Sequence, residues 1–414
     1  MAAENNGSVL IIATMDTKGE EALYLSKCLK ELGLEPLIMD PGIRGNPDFP
    51  VYVSRDTVAK RGGMTLSEVQ MIPHEGDALN AMITGSVIIV KELCDQGMIR
   101  GVIALGGSMG TTLASAVMRA LPFGFPKVMI STMASRNTRA FVGTRDIVMM
   151  HSVCDIAGLN PMTRRVIANG AGAVAGMVNA GGRIKQERGN LRQVALSTLG
   201  TTEACAARLR EALAAGGFEV VTFHTNGAGG QAMEEMIEEG EFDMVIDLSL
   251  HEIADNFYGG EYDSGALRGT AALRKGIPAI LVPGNVDFIV TGPLADARIK
   301  FPSRRYHAHN AAITVTETSA AEMAELGGRL AEISEGAHGP VFILVPSRGF
   351  SAFGDKRGPF YNPARPAKFI EGLTDRLKDP GILKIFPCHI NDEEFSAGIL
   401  SCLRAMWKVL KNPG

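Results

Sequence analysis

The sequence predicts a two-domain α/β protein in which each domain carries a mainly parallel sheet covered by helices. Three observations support that reading. Short, continuous apolar runs rich in β-branched residues alternate with helical patterns, as strands buried on both faces do. The rhythm stops in one polar stretch and then restarts. A chain of 414 residues also exceeds a single ordinary core.

In the first domain Val9–Ala13 reads as a buried strand, followed by a helix from about Lys18 to Leu32. Pro36–Met39, Gly101–Leu105 and Lys127–Ser131 follow as strands, and the weakly periodic stretch from Asn46 to His74 reads as a long excursion near a site. Polar, glycine-containing Gly181–Asn190 is the best linker, giving domains over residues 1–185 and 190–414. After it come Gln193–Ser197, Phe218–Phe223, Asp243–Leu248, Pro278–Val282, Val341–Val345 and Leu383–Phe386 as strands, and Glu393–Leu410 as a closing helix.

Composition removes several functional classes. A formal net charge of −4 and a single Trp offer neither an electrostatic footprint nor a stacking platform for nucleic acid. The opening Met1–Gly7 lacks the basic and apolar regions of a secretory signal, and no apolar run is long enough for a membrane helix. Six cysteines without C-x-x-C spacing read as free thiols. A cytoplasmic protein is expected.

The chemistry concentrates at strand ends. Gly106, Gly107, Ser108, Met109, Gly110, Thr111 and Thr112 follow a strand and open a helix. Glycines permit close backbone approach, the helix start presents free N–H groups, and the hydroxyls add donors or a Mg²⁺ ligand. The loop is not a Walker A sequence, since no Lys follows its last Gly, and it lacks dinucleotide glycine spacing. It is either a phosphate cradle or a turn that merely needs glycine. Asp16, Thr17 and Lys18 after the first strand, and Ser131, Thr132 and Ser135 after the fourth, belong to the same sheet edge. Singly they would be helix caps; together they suggest a ligand crevice. Gly170–Gly176 imitates a nicotinamide motif but follows a helical segment, so it reads as tight helix packing, with Asn169 still within reach of a nucleotide.

In the second domain Leu199–Thr202 and His224–Gly230 are again strand-to-helix turns, and Gly229 and Gly230 allow either anion binding or simple turning. Glu252 follows a strand and is a candidate catalytic carboxylate. His307 and His309, two apart on an extended segment, address one site for proton transfer or a ligand, or else form a solvated pair. Asn310 and Arg304 complete a second-ligand set with His224, Arg304 suiting an anion; no metal is specified, because two imidazoles alone do not make a zinc site.

Taken in order, these segments are familiar. Asp16-Thr17-Lys18, Leu105–Thr112, Lys127–Thr132 with Ala134-Ser135, Asn169–Met177, Phe223-His224 with Gly227, Gly229-Gly230 and Ala232–Glu234, His307-x-His309-Asn310 and His389–Asp392 resemble the family of the ATP-binding N-terminal domain of the tomato mosaic virus resistance protein and its uncharacterised bacterial relatives, over essentially the whole chain. The resemblance implies two Rossmann-like subdomains, a homodimer, and ATP with Mg²⁺ in the first. Ala311-Ala312 stands where the plant relative has an acidic residue, which argues against a metal or acid–base site needing that carboxylate.

Three functions follow as expectations. One is an ATP-dependent enzyme acting on a small anionic metabolite held between the domains. Another is a non-catalytic nucleotide module in which ATP stabilises a dimer. The third is an enzyme of the second domain that does not consume ATP. Whether any chemistry occurs is left open by the residues themselves.

Overall fold

The computed structural model describes residues 8–45, 47–183 and 191–411. The chain forms two compact units, 1–187 and 188–414. Each is an α/β fold with a mainly parallel sheet covered by helices, Rossmann-like in both cases.

The first unit begins with β1 (Ser8–Ile12), α1 (Met15–Glu31), β2 (Pro36–Met39), α2 (Arg55–Arg61), α3 (Leu66–Met71) and α4 (Glu75–Asp95). It continues with β3 (Ile99–Gly106), α5 (Ser108–Arg119), β4 (Lys127–Ser131), α6 (Arg139–Val142), β5 (Val148–His151) and α7 (Pro161–Arg183). Every strand pair is parallel, in the order β2-β1-β3-β4-β5. Central β3 is buried on both faces except at Arg100, which is why it reads as one apolar run. One core lies under α1 and α7, the other under α2, α4 and α5.

Winding runs from β1 outward to β2, then back across β1 to β3. The connections therefore leave the sheet in opposite directions between β1 and β3, the position where open parallel sheets form a crevice at their carboxyl ends.

The second unit opens with β6 (Arg192–Thr198), α8 (Glu203–Ala215), β7 (Phe218–His224), α9 (Ala228–Glu238), β8 (Met244–Ser249), α10 (His251–Tyr258), α11 (Ala271–Lys275) and β9 (Ala279–Gly284). An excursion follows: β10 (Phe288–Thr291), α12 (Leu294–Lys300), β11 (Tyr306–Ala308) and β12 (Thr314–Glu317). Then come α13 (Ala320–Ser334), β13 (Val341–Pro346), α14 (Ala364–Arg376), β14 (Leu383–Phe386) and α15 (Glu393–Lys411). The large sheet is parallel in the order β14-β13-β9-β8-β6-β7. It repeats the winding of the first unit, with its reversal between β6 and β8. The excursion forms a separate antiparallel sheet, β10-β12-β11.

Several expectations are revised. Helix α1 starts at Met15, three residues before the expected Lys18, because Lys18 itself has non-helical φ/ψ (−130°, 18°) inside the helix. The stretch after Asn46 contains α2 and α3, both capped by hydroxyls, Ser54 and Thr65. Helix α7 runs through Arg183, so Gly181, Gly182 and Arg183 belong to a helix, and the rest of the expected linker, residues 184–190, lies outside the described residues. Gly170–Gly176 is the middle of α7: a Cβ on Gly170 would lie 2.5 Å from Ile130, while Gly172 and Gly176 face open space. All six cysteines are free.

Candidate functional site

At the carboxyl edge of the first sheet, Gly107 caps α5 and Thr111 is buried beneath it. Thr111 Oγ1 donates to Gly107 O (2.7 Å) and lies 2.6 Å from Ser131 Oγ, which accepts from Met133 N (2.9 Å). With the Thr111 proton committed to Gly107, Ser131 donates to Thr111, and a run of hydroxyls ties the end of β4 to the start of α5. Thr112 Oγ1 donates back to Ser108 O (2.9 Å). Among the described residues no protein acceptor faces the N–H groups of Ser108, Met109 and Gly110, the donors that a helix start leaves over. Gly106 is buried, and Thr132 Oγ1 is 4.0 Å from a Cβ built on Gly107.

Beside this loop is a cavity of about 260 Å³ with Thr14, Asp16, Thr17, Arg44, Gln70 and Met109 in its lining. Thr14 and Thr17 hydroxyls are 3.0 Å apart, and Lys18 Nζ donates to Thr17 O (3.3 Å). Of the expected nucleotide residues, Asp16 and Thr17 line the cavity and Gly107 and Thr132 adjoin one another. Thr111 and Ser131 support the loop from below. Ser135 and Asn169 are exposed and do not line the cavity. Sequence reasoning missed Asp40. Its Oδ1 accepts from Met15 N (3.1 Å) and Gly42 N (2.8 Å), while Oδ2 pairs with buried Arg55 (2.7 Å), fastening the ends of β1 and β2 together. Asp-Pro-Gly directly after a strand was the available signal.

In the second unit the helix start of α9 at the corresponding edge is occupied by the chain itself. Arg268 is buried and grips Asp247 with two nitrogens (2.5 and 2.7 Å), Glu252 through Nε (2.6 Å) and Glu234 (3.1 Å). Glu252 Oε1 also accepts from Gly227 N (2.7 Å) and Gly230 N (3.2 Å). The start of α9 therefore does bind an anion, and the anion is Glu252. Burial pushes the Glu252 and Glu234 carboxyls up despite Arg268. Burial opposes the Arg268 charge, yet Asp247 and Glu252 hold the guanidinium well above its ordinary value.

This geometry places Glu252, fully buried, in an internal ion cluster. Gly230 is needed for it, since a Cβ there would lie 1.8 Å from Glu252 Oε2, and a Cβ on Gly229 would lie 1.8 Å from His224 O. Arg304 is committed to Glu322 (2.7 Å) and Glu317 O (3.0 Å). Asn310 Oδ1 closes its own turn by accepting from Ala312 and Ile313 N (2.9 Å each).

His224 and His309 do come together. Both line a cavity of about 420 Å³ beyond the carboxyl ends of β6 and β7, walled by Phe288, Phe353 and Val315 and carrying Thr201. His307 packs on Phe353 (centroids 5.0 Å apart). A larger cavity of about 650 Å³ lies at the opposite, amino-terminal end of β13, where Lys378 and Glu335 already compensate each other (2.6 Å). Burial pushes the Cys205 and Cys388 thiols up to about 12 and about 11, so neither is a nucleophile at neutral pH. Among the described residues no three His, Cys, Asp or Glu side chains are grouped to hold a metal ion, and no helix is long and apolar enough to cross a membrane.

Comparison with known proteins gives two family matches. Residues 7–183 match the N-terminal domain, and residues 192–407 the C-terminal domain, of the uncharacterised protein family UPF0261. A UPF0261 protein of Clostridium tetani is 35% identical over 94% of this chain and 96% of its own length. One from Rhizobium meliloti is 32% identical over 96% of this chain and 98% of its own. The tomato (Solanum lycopersicum) ToMV resistance protein Tm-1(GCR237) is 31% identical over 96% of this chain, matched along 56% of its own length. The chain, with both domains present in order, belongs to the UPF0261 family.

Proposed function

We propose that the first unit binds a nucleoside triphosphate, ATP with Mg²⁺, at the reversal point between β1 and β3. The observation that carries this reading is the start of α5. Its first N–H groups have no protein acceptor among the described residues, Gly107 clears the approach to them, and a buried hydroxyl run holds the loop in place. Phosphate oxygens suit those donors and the positive end of the helix dipole. The fit for Mg²⁺ is one exposed carboxylate, Asp16, beside the Thr14 and Thr17 hydroxyls, in keeping with an ion that shares its ligands with phosphate and water. Bound there, Mg²⁺ would neutralise phosphate charge. Arg44 and Gln70 stand on the cavity wall for the remainder of the ligand. The adenine identity and a homodimer rest on the family resemblance, and a cytoplasmic setting on composition.

Within this reading, holding the nucleotide is better supported than consuming it. The Thr111 and Ser131 hydroxyls are spent on structure, and Glu252, the candidate acid–base group of the second unit, is buried against Arg268.

Gly107→Trp tests the site. Gly107 has an extended backbone that any residue adopts (φ −80°, ψ −157°), with only Thr132 near its Cβ position, so the variant should fold. Mg-ATP affinity, followed by calorimetric titration, should fall at least about tenfold with an unchanged unfolding midpoint in the absence of nucleotide. Unaltered affinity sinks the assignment. ADP or phosphate release by the native protein, alone and with pooled metabolites, separates turnover from binding.

A further inference from the structure

The 420 Å³ cavity of the second unit is built independently of the nucleotide reading, and its polar wall is unusually well supported. Thr201 Oγ1 accepts from the Nδ2 amide of Asn285, and Thr201 O accepts from Asn391 Nδ2 (2.9 Å). Asn391 is fixed in turn by accepting from Cys205 N (3.3 Å). Asn285 is fully buried, holds a left-handed backbone (φ 65°), and leaves its Oδ1 without a partner. A buried amide that is both strained and half-satisfied costs stability, and such features persist where they position something. Here the positioned group is Thr201. With its oxygen engaged by Asn285, its own proton is directed elsewhere, and the cavity is what Thr201 lines.

Two further hydrogen-bonding groups reach the same space. The His224 and His309 imidazoles arrive from the end of β7 and from the β11–β12 turn, and neither meets a protein hydrogen-bond partner among the described residues. The opposite wall is apolar and rigid: Phe353 is braced by Phe288 (5.2 Å), His307 (5.0 Å) and Phe360 (5.7 Å). No Lys or Arg lines the cavity, so the several charges of a polyphosphate would go unmet, whereas a single carboxylate can be held by hydrogen-bond donors alone. The volume holds on the order of ten to fifteen heavy atoms.

We infer that this cavity binds a small carboxylic acid with a flat or branched apolar body. The carboxylate lies on the Thr201 hydroxyl and the two imidazoles, and the body packs on Phe288 and Phe353. A hydrogen bond to a charged oxygen is worth more than one to a neutral group, which is the basis of selectivity over the corresponding alcohol.

The test uses the full chain without nucleotide, so its outcome does not depend on the first unit. Phenylacetate, benzoate and 4-methyl-2-oxopentanoate are titrated by saturation-transfer NMR and calorimetry, with 2-phenylethanol and inorganic phosphate as controls. At least one acid should bind saturably with a Kd of about 1 mM or tighter, and 2-phenylethanol about tenfold more weakly than phenylacetate. Phosphate should not displace the acids. Thr201→Val should weaken the acid about tenfold, and Ile313→Trp, which fills the cavity from a half-buried position at the end of the Asn310 turn, should abolish binding with the unfolding midpoint retained. Silence from all three acids, equal binding of the alcohol, or unaltered affinity in Ile313→Trp overturns the inference.

Discussion

The hydroxyl oxygens of Thr111 and Ser131 lie 2.6 Å apart, joining the first turn of α5 to the last residue of β4. Thr111→Val keeps the shape and removes the link, leaving the buried Ser131 hydroxyl without its acceptor. Stability should fall by about 1–3 kcal/mol in urea unfolding. Mg-ATP affinity should fall with it, while Thr111→Ser should restore both. Lost stability with intact nucleotide affinity would separate the loop's support from binding.

Arg268 hydrogen-bonds three carboxylates at once, buried Asp247 and Glu252 and half-buried Glu234, and brings the one positive charge among them, so its removal strands them. Arg268→Met should cost about 3–5 kcal/mol, seen as loss of cooperative unfolding of the second unit. Arg268→Lys should recover only part, because an ammonium cannot span Asp247, Glu252 and Glu234 as the planar fork does.

Two glycines should respond oppositely to the same substitution. Gly230→Ala drives a methyl group into the Glu252 carboxylate and should destabilise by more than about 2 kcal/mol. Gly172→Ala, in the exposed face of α7, meets nothing within 4 Å and should stabilise by about 0.5–1 kcal/mol. Thermal unfolding of the pair reads both signs.

Acid should weaken the fold through His251. Its Nε2 bonds Thr225 O (2.6 Å), which makes it the protonated nitrogen of a neutral ring, and burial pushes the pKa down to about 4 from an ordinary 6.5. Between those values the unfolded chain takes the proton and the folded chain does not. The residue's contribution is therefore complete above pH 6.5 and declines as pH falls toward 4, by on the order of 3 kcal/mol. Asp255, raised by burial, acts in the opposite sense: its contribution is present at low pH and is lost as pH rises through its folded value. His251→Gln keeps a donor for Thr225 and isolates the imidazole. Urea unfolding at about pH 7 and about pH 4.5 should show a smaller acid-side loss in the variant than in the native chain.

What could be read in the sequence follows from what is local. Both parallel sheets were legible, because strands buried on two faces appear as continuous apolar runs. The Gly106–Thr112 loop was legible because glycine and hydroxyl residues follow such a run directly. The antiparallel β10-β12-β11 sheet was not, since β11 (Tyr306–Ala308) and β12 (Thr314–Glu317) carry no continuous apolar run, and only the extended His307–His309 segment pointed to it. The fate of Glu252 was also hidden: its partner Arg268 is sixteen residues away, and the N–H groups it accepts from are on another helix. His224 and His309 could be named singly, but only the folded chain brings residues so far apart to one cavity wall.

Glu252 at the start of α9 is in effect a counter-ion attached by covalent bonds. Its local concentration never changes, so the anion at the start of α9 is neither supplied nor withdrawn by the solution. Under the nucleotide reading α5 is served from solution, and the first unit gains RT ln(1 + [L]/Kd) from its ligand. The two helix starts, wound alike, would then differ in what they report: α9 holds its anion at every nucleotide concentration, and α5 is braced in proportion to nucleotide supply.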